Sequence, residues 1–151
     1  MEPIVQLNSN AKLSEHFKLG EFTKSSSHPE VYNIPSHEAI ANLKRVCGWL
    51  EVLRKRYGGP IIINSGYRSP QLNRKIGGVA TSNHLTGCAV DIRVTGLEQA
   101  IRYAAILLDI ADGSKRDYDE LLIERSPKGG YWVHFAVRPK ENRRKVRFIQ
   151  T

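Results

Sequence analysis

Hydrophobic and polar positions along this chain follow two rhythms, and the change of rhythm marks the change of structure. From Ile40, apolar residues recur at Leu43, Val46, Cys47, Leu50 and Leu53. Steps of three and four place them on one stripe of a helix. Lys44, Arg45, Glu51, Arg54 and Lys55 take the other faces. Ser36 supplies an N-cap hydroxyl, and Gly58-Gly59-Pro60 stops the helix. A second stripe, Leu97, Ala100, Ile101, Ala104, Leu107 and Leu108, predicts a second amphipathic helix. Between the two lie shorter pieces. Ile61-Ile62-Ile63 reads as a short strand ending at Asn64-Ser65-Gly66. Ser69-Pro70 reads as an N-cap with proline at the first helical position, opening a short helix that ends at Gly77-Gly78. Residues 79–86 read as loop, and Cys88 to Val94 as strand.

The C-terminal third shifts to β-type patterning. Tyr118 to Arg125 and Tyr131 to Val137 predict strands around the turn Ser126-Pro127-Lys128-Gly129-Gly130. Val146 to Ile149 suits an edge strand. At the other end, Ser14 to Phe22 suits a short helical turn whose aromatics pack on the body, and Ser25 to Pro29 reads as loop. With no repeat and no long linker, residues 1–151 make one domain. Residues 1–35 form an N-terminal packing segment and residues 139–151 a basic C-terminal segment. Separate blocks of helix and antiparallel strand predict a small α+β fold, one sheet packed by two main helices.

Composition narrows the class. At 40% hydrophobic and 25% charged, the chain has enough apolar surface to fold. It has no run near the roughly 20 apolar residues of a membrane helix. Met1 to Gln6 carries an acid and no long apolar core, so it does not read as a signal peptide. The expectation is synthesis in the cytoplasm. Cys47 and Cys88 lack paired metal spacing and read as small buried apolar residues. A net charge of +8 attracts polyanions in general, but no nucleic-acid motif accompanies it. Arg138 to Arg147 is the densest basic block and reads equally as a solvated strand and turn or as a steering patch.

Two histidines have unusual neighbours. In Ser82-Asn83-His84-Leu85-Thr86-Gly87-Cys88-Ala89-Val90-Asp91, a loop histidine precedes a glycine turn and a strand carrying an aspartate. Alternation puts Cys88, Val90 and Ile92 on the core face, and Ala89, Asp91 and Arg93 on the other. Gly87 lets the chain fold His84 back toward Asp91. In Trp132-Val133-His134-Phe135, His134 shares a strand face with Trp132 and Ala136. Two imidazoles and one carboxylate are suitable zinc ligands, and three protein ligands leave a fourth position open, the count of catalytic sites.

The pattern Ser-x-His-x-x-Gly-x-Ala-x-Asp, filled by Ser82, His84, Gly87, Ala89 and Asp91 and followed by Trp132-Val133-His134, resembles the zinc D-alanyl-D-alanine carboxypeptidase family, peptidase family M15. That family includes bacterial and phage L-alanyl-D-glutamate endopeptidases and shares its fold with the hedgehog signalling domain. Ser65 to Pro70, Leu13 to Phe22 and Gly77-Gly78-Val79 are also similar, so the likeness spans most of residues 13–137. The resemblance implies one zinc per chain on His84, Asp91 and His134, with Arg68 binding a substrate carboxylate, where a planar bidentate donor suits it. It implies a hydrolase acting on peptidoglycan peptides and so on the cell wall after release. The reaction is either removal of terminal D-alanine or endolysin-type cleavage between L-alanine and D-glutamate. Ser82 either binds substrate or caps its own loop.

One position departs from the family. Many relatives carry an acid three residues before the last zinc histidine, where this chain has Tyr131. Hairpin geometry offers Glu124 instead. If Arg125 lies opposite Tyr131, Glu124 pairs with Trp132 and Leu122 with His134, making Glu124 a diagonal neighbour of His134 about 7–8 Å away. Glu120 has the same parity but lies four residues further along, about 13 Å at strand rise. The hedgehog relatives also carry a glutamate on the strand before the last ligand. Glu124 is therefore the expected general base. The ordinary alternatives are a surface ion pair for Glu124, a loop salt bridge for Arg68, and a zinc-containing binding module without catalysis for the whole chain.

Overall fold

The computed structural model describes residues 8–25 and 28–151. Met1 to Gln6, and Ser26 and Ser27 of the expected loop, lie outside them. The chain forms α1 (Leu19–Thr23), α2 (His37–Tyr57), β1 (Ile63–Ser65) and α3 (Pro70–Lys75), then a 3-10 turn over Asn83–Thr86. It continues with β2 (Ala89–Arg93), α4 (Leu97–Ser114), β3 (Glu120–Arg125), β4 (Tyr131–Ala136) and β5 (Lys145–Gln150).

The caps act as the sequence requires. Ser36 Oγ accepts the Ala39 amide at 3.1 Å, and Ser69 Oγ accepts that of Leu72 at 3.2 Å with Pro70 just inside the helix. The α2 stripe buries Leu43, Val46, Cys47, Leu50 and Leu53 completely. Each fully buried aliphatic side chain contributes roughly 1.5–3 kcal/mol relative to exposure. The α4 stripe adds Ala100, Tyr103, Leu107, Ile110 and Ala111. Phe17 and Phe22 pack edge-on at 5.9 Å and are buried in the core. Cys47 and Cys88 are free and buried, and burial pushes the Cys47 thiol up to about 12.

The sheet order is β1-β2-β4-β3-β5. The pairs β1–β2, β2–β4 and β4–β3 are antiparallel, as expected of this α+β domain. The fifth strand differs, because β5 runs parallel to β3. The cause is topological: the chain leaves β4 where Ala136 pairs with Glu120, turns back through Arg138 to Arg144, and re-enters beside Glu120 running in the direction of β3. The short strand near Ile61 also sits later than its apolar run. The strand covers only Ile63 to Ser65, and although the Ile62 carbonyl accepts the Arg93 amide at 2.8 Å, its side chain is exposed. The loop over 79–86 contains the 3-10 turn.

Strand parity then divides the sheet. Val90, Ile92, Leu121, Ile123, Val133 and Phe135 face the helices and are buried, with Trp49 against Phe135 at 5.4 Å. Asp91, Glu120, Leu122, Glu124, Trp132 and His134 line a cleft of about 680 Å³ on the opposite face. Among the described residues, no helix is long and apolar enough to cross a membrane.

Candidate metal centre

Asp91 and His134 are direct cross-strand partners on β2 and β4. Their side chains emerge on one face, and Asp91 Oδ1 lies 3.1 Å from His134 Nδ1. His84 joins them from outside the sheet. Ser82 Oγ accepts the His84 amide at 3.2 Å and caps the 3-10 turn. Gly87 ends that turn at φ 76°, and a Cβ there would meet the Ala39 carbonyl oxygen at 2.5 Å. The glycine thus allows both the left-handed turn and its close seat on α2. Gly66 is needed for similar reasons of space, since its Cβ would meet Phe22 backbone at 2.8 Å. That close approach brings the Gly66 carbonyl to His84 Nδ1 at 2.6 Å.

A carbonyl only accepts, so His84 carries its proton on Nδ1 and presents the Nε2 lone pair inward. Nε2 is buried, has no hydrogen-bond donor among the described residues, and lies 3.3 Å from Asp91 Oδ1. One ligand atom from each of His84, Asp91 and His134 falls within 4.8 Å of the others, and all three residues are buried. His84 Nε2 and Asp91 Oδ1 are both acceptors, and their buried approach is unfavourable unless a cation lies between them. This donor set, with the orphaned Nε2, fits a metal ion.

His134 differs in its second nitrogen. Nε2 lies 3.0 Å from Glu120 Oε1. Without metal, burial opposes a charged imidazole, but hydrogen bonds to Asp91 and Glu120 outweigh it and push His134 up to about 10. Burial likewise opposes the Asp91 carboxylate, but the two histidines hold its pKa well below the usual range.

The hairpin register is Arg125 opposite Tyr131, Glu124 opposite Trp132 and Leu122 opposite His134. Glu124 lines the cleft, and its Oε2 accepts the Trp132 indole N–H at 2.8 Å. Burial, with the nearby Asp91 charge, raises its pKa above the ordinary value. Tyr131 lies three residues from His134 and so on the opposite face of β4. Distance does not separate Glu120 from His134, contrary to the expectation from strand rise: His134 sits opposite Leu122, which places Glu120 and Glu124 each two positions away, one on each side.

Sequence reasoning missed the supports behind Glu120. Asn83 Nδ2 donates to Glu120 Oε1 at 2.6 Å and to Asp119 Oδ2 at 2.8 Å, while Arg138 Nε donates to Asn83 Oδ1 at 2.9 Å. Asp119 is fully buried and accepts the backbone and guanidinium N–H groups of Arg143. The basic C-terminal block is therefore partly structural, although Arg138, Arg143 and Lys145 also line the cleft. Arg68 lines it too. Its Nη2 donates to Asp91 Oδ2 at 3.3 Å, and its buried Nε has no partner among the described residues.

A family model described as Peptidase M15 matches residues 15–113, from just before α1 to the end of α4, including His84 and Asp91. No curated protein matches the chain.

Proposed function

Since this chain belongs to the peptidase M15 family, a family of metallopeptidases, we propose that it is a zinc-dependent hydrolase of peptide bonds in the stem peptides of bacterial peptidoglycan. The observation that carries the reading is the convergence of His84 Nε2, Asp91 and His134 in a buried cluster beside Glu124. Two imidazoles and one carboxylate suit zinc by donor type.

When bound there, zinc supplies a Lewis acid that polarises the scissile carbonyl and acidifies water. The remaining work falls to this chain's side chains. Glu124 accepts the proton of the attacking water, at Oε1, the oxygen that Trp132 does not engage. It returns that proton to the leaving amine as the C–N bond breaks. The raised pKa of Glu124 suits both steps, because a base nearer neutrality is also a competent acid. Arg68, which lines the cleft, binds a substrate carboxylate through its guanidinium. Ser82 holds the His84 turn and lines the cleft, within reach of substrate. The net charge of +8 favours encounter with an anionic wall.

Purified zinc-loaded protein incubated with muropeptides, with products identified by mass, tests this reading. Cleavage products that disappear on chelation support it, and their masses separate D-alanine release from L-alanyl-D-glutamate cleavage. Intact muropeptides after prolonged incubation with zinc-loaded protein would overturn it in favour of a binding module.

A further inference from the structure

Leu122 lies opposite His134, so Glu120 and Glu124 flank it at equal steps along β3. Their surroundings give them different work. Glu124 turns to the Trp132 indole. Glu120 turns to His134 itself, with Oε1 3.0 Å from Nε2, and the Asn83 amide fastens the same oxygen at 2.6 Å. Asn83 is in turn oriented by Arg138 and by the buried Asp119. An Arg138–Asn83–Glu120 chain therefore ends on the imidazole nitrogen that points away from the metal-facing cluster.

We infer that Glu120 is a positioning residue, which keeps the His134 proton on Nε2 and so presents Nδ1 to the metal. The inference rests on the reading of His84, Asp91 and His134 as ligands. Its physical basis is the tautomer. Neutral imidazole has one donor and one acceptor nitrogen, and a carboxylate accepts only. Once Glu120 takes the Nε2–H, the lone pair must lie on Nδ1, which faces Asp91 Oδ1 at 3.1 Å. A carboxylate in this position also fixes the ring and raises its basicity as a ligand.

Zinc affinity, measured by competition with a chromophoric chelator, separates this role from catalysis. Glu120→Ala should weaken zinc binding about 10- to 100-fold, the usual cost of losing such a partner. Glu120→Gln should recover much of that loss, because its amide oxygen still accepts from Nε2–H. Glu124→Gln should bind zinc as wild type does. In the cobalt-substituted protein, the visible spectrum should shift for Glu120→Ala and be restored toward wild type in Glu120→Gln. Thermal unfolding of the metal-free variants checks that the fold survives, and Glu120→Gln supplies a near-isosteric protein if Glu120→Ala unfolds. Wild-type zinc affinity in both Glu120 variants would overturn the inference while leaving the ligand assignment intact. Failure of wild type to bind zinc would instead remove the ligand assignment on which it rests. Wild-type zinc affinity with lost turnover in Glu120→Ala would overturn the positioning role and make Glu120 the base.

Discussion

Glu124 accepts a hydrogen bond from the indole of Trp132, its direct partner across the β3–β4 hairpin, at 2.8 Å. The contact holds one carboxylate oxygen of a residue that lines the cleft, and leaves the other free of Trp132. Glu124→Gln keeps the shape and removes the proton acceptor. We expect turnover to fall by a factor of about 10² to 10⁴ with zinc content unchanged, as read by steady-state kinetics and elemental analysis. Full activity in Glu124→Gln would remove it as the base.

The same contact makes a pH prediction. A base works only when deprotonated, so activity falls as pH drops through the pKa of Glu124. Burial raises that pKa, so the acid limb of kcat/KM should lie above the ordinary glutamate value. The Trp132 N–H favours the charged form. Trp132→Phe should therefore move the limb to still higher pH, and a shift to lower pH would contradict the proposed role.

Metal binding should release a proton. Without metal, His134 stays protonated across neutral pH, held by Asp91 and Glu120 up to about 10. Zinc must displace that proton. Apparent affinity should therefore weaken by about tenfold for each unit of falling pH in the neutral range. Calorimetry in buffers of different ionisation enthalpy should report about one proton released, and identical heats in all buffers would exclude His134 as a displaced site. His84→Ala, Asp91→Ala and His134→Ala should each lose most zinc, so full occupancy in all three would reject the centre.

Arg68 touches Asp91 and also faces the cleft, so its two roles need separating. Arg68→Ala should cost about 1.5–3 kcal/mol more on a substrate bearing a carboxylate than on its neutral amide, the scale of a charged hydrogen bond. An equal loss on both substrates would assign Arg68 to support of Asp91 alone.

Asp119 anchors the C-terminal segment. It is fully buried and receives several N–H donors of Arg143. Asp119→Ala should destabilise the protein by about 1.5–3 kcal/mol in urea unfolding. Burial opposes its charge, but Arg143 and Asn83 hold its pKa down to about 2 from an ordinary 3.8. The pKa is depressed in the folded state, so the stabilisation is present above the ordinary value. It should fade as pH falls from there toward 2. A wild-type unfolding midpoint in Asp119→Ala would refute the anchor.

The periodicity of α2 and α4, the caps at Ser36 and Ser69 and the spacing of Ser82, His84, Gly87 and Asp91 are local properties, legible in the sequence because sterics and turn chemistry act over a few residues. Strand parity was legible for the same reason, and with the hairpin turn it set Glu124 opposite Trp132. Pairing between distant segments was not. Nothing local says that β2 lies beside β4, making Asp91 and His134 direct partners, or that Gly66 brings its carbonyl to His84. The tertiary structure also decided which glutamate serves His134. Parity admits both Glu120 and Glu124, and the choice falls to Asn83, Asp119 and Arg138, which converge from a turn and two strand ends to hold Glu120 on Nε2. Side-chain hydrogen bonds across such separations depend on where the folded chain places their partners, and a one-dimensional pattern carries no record of that.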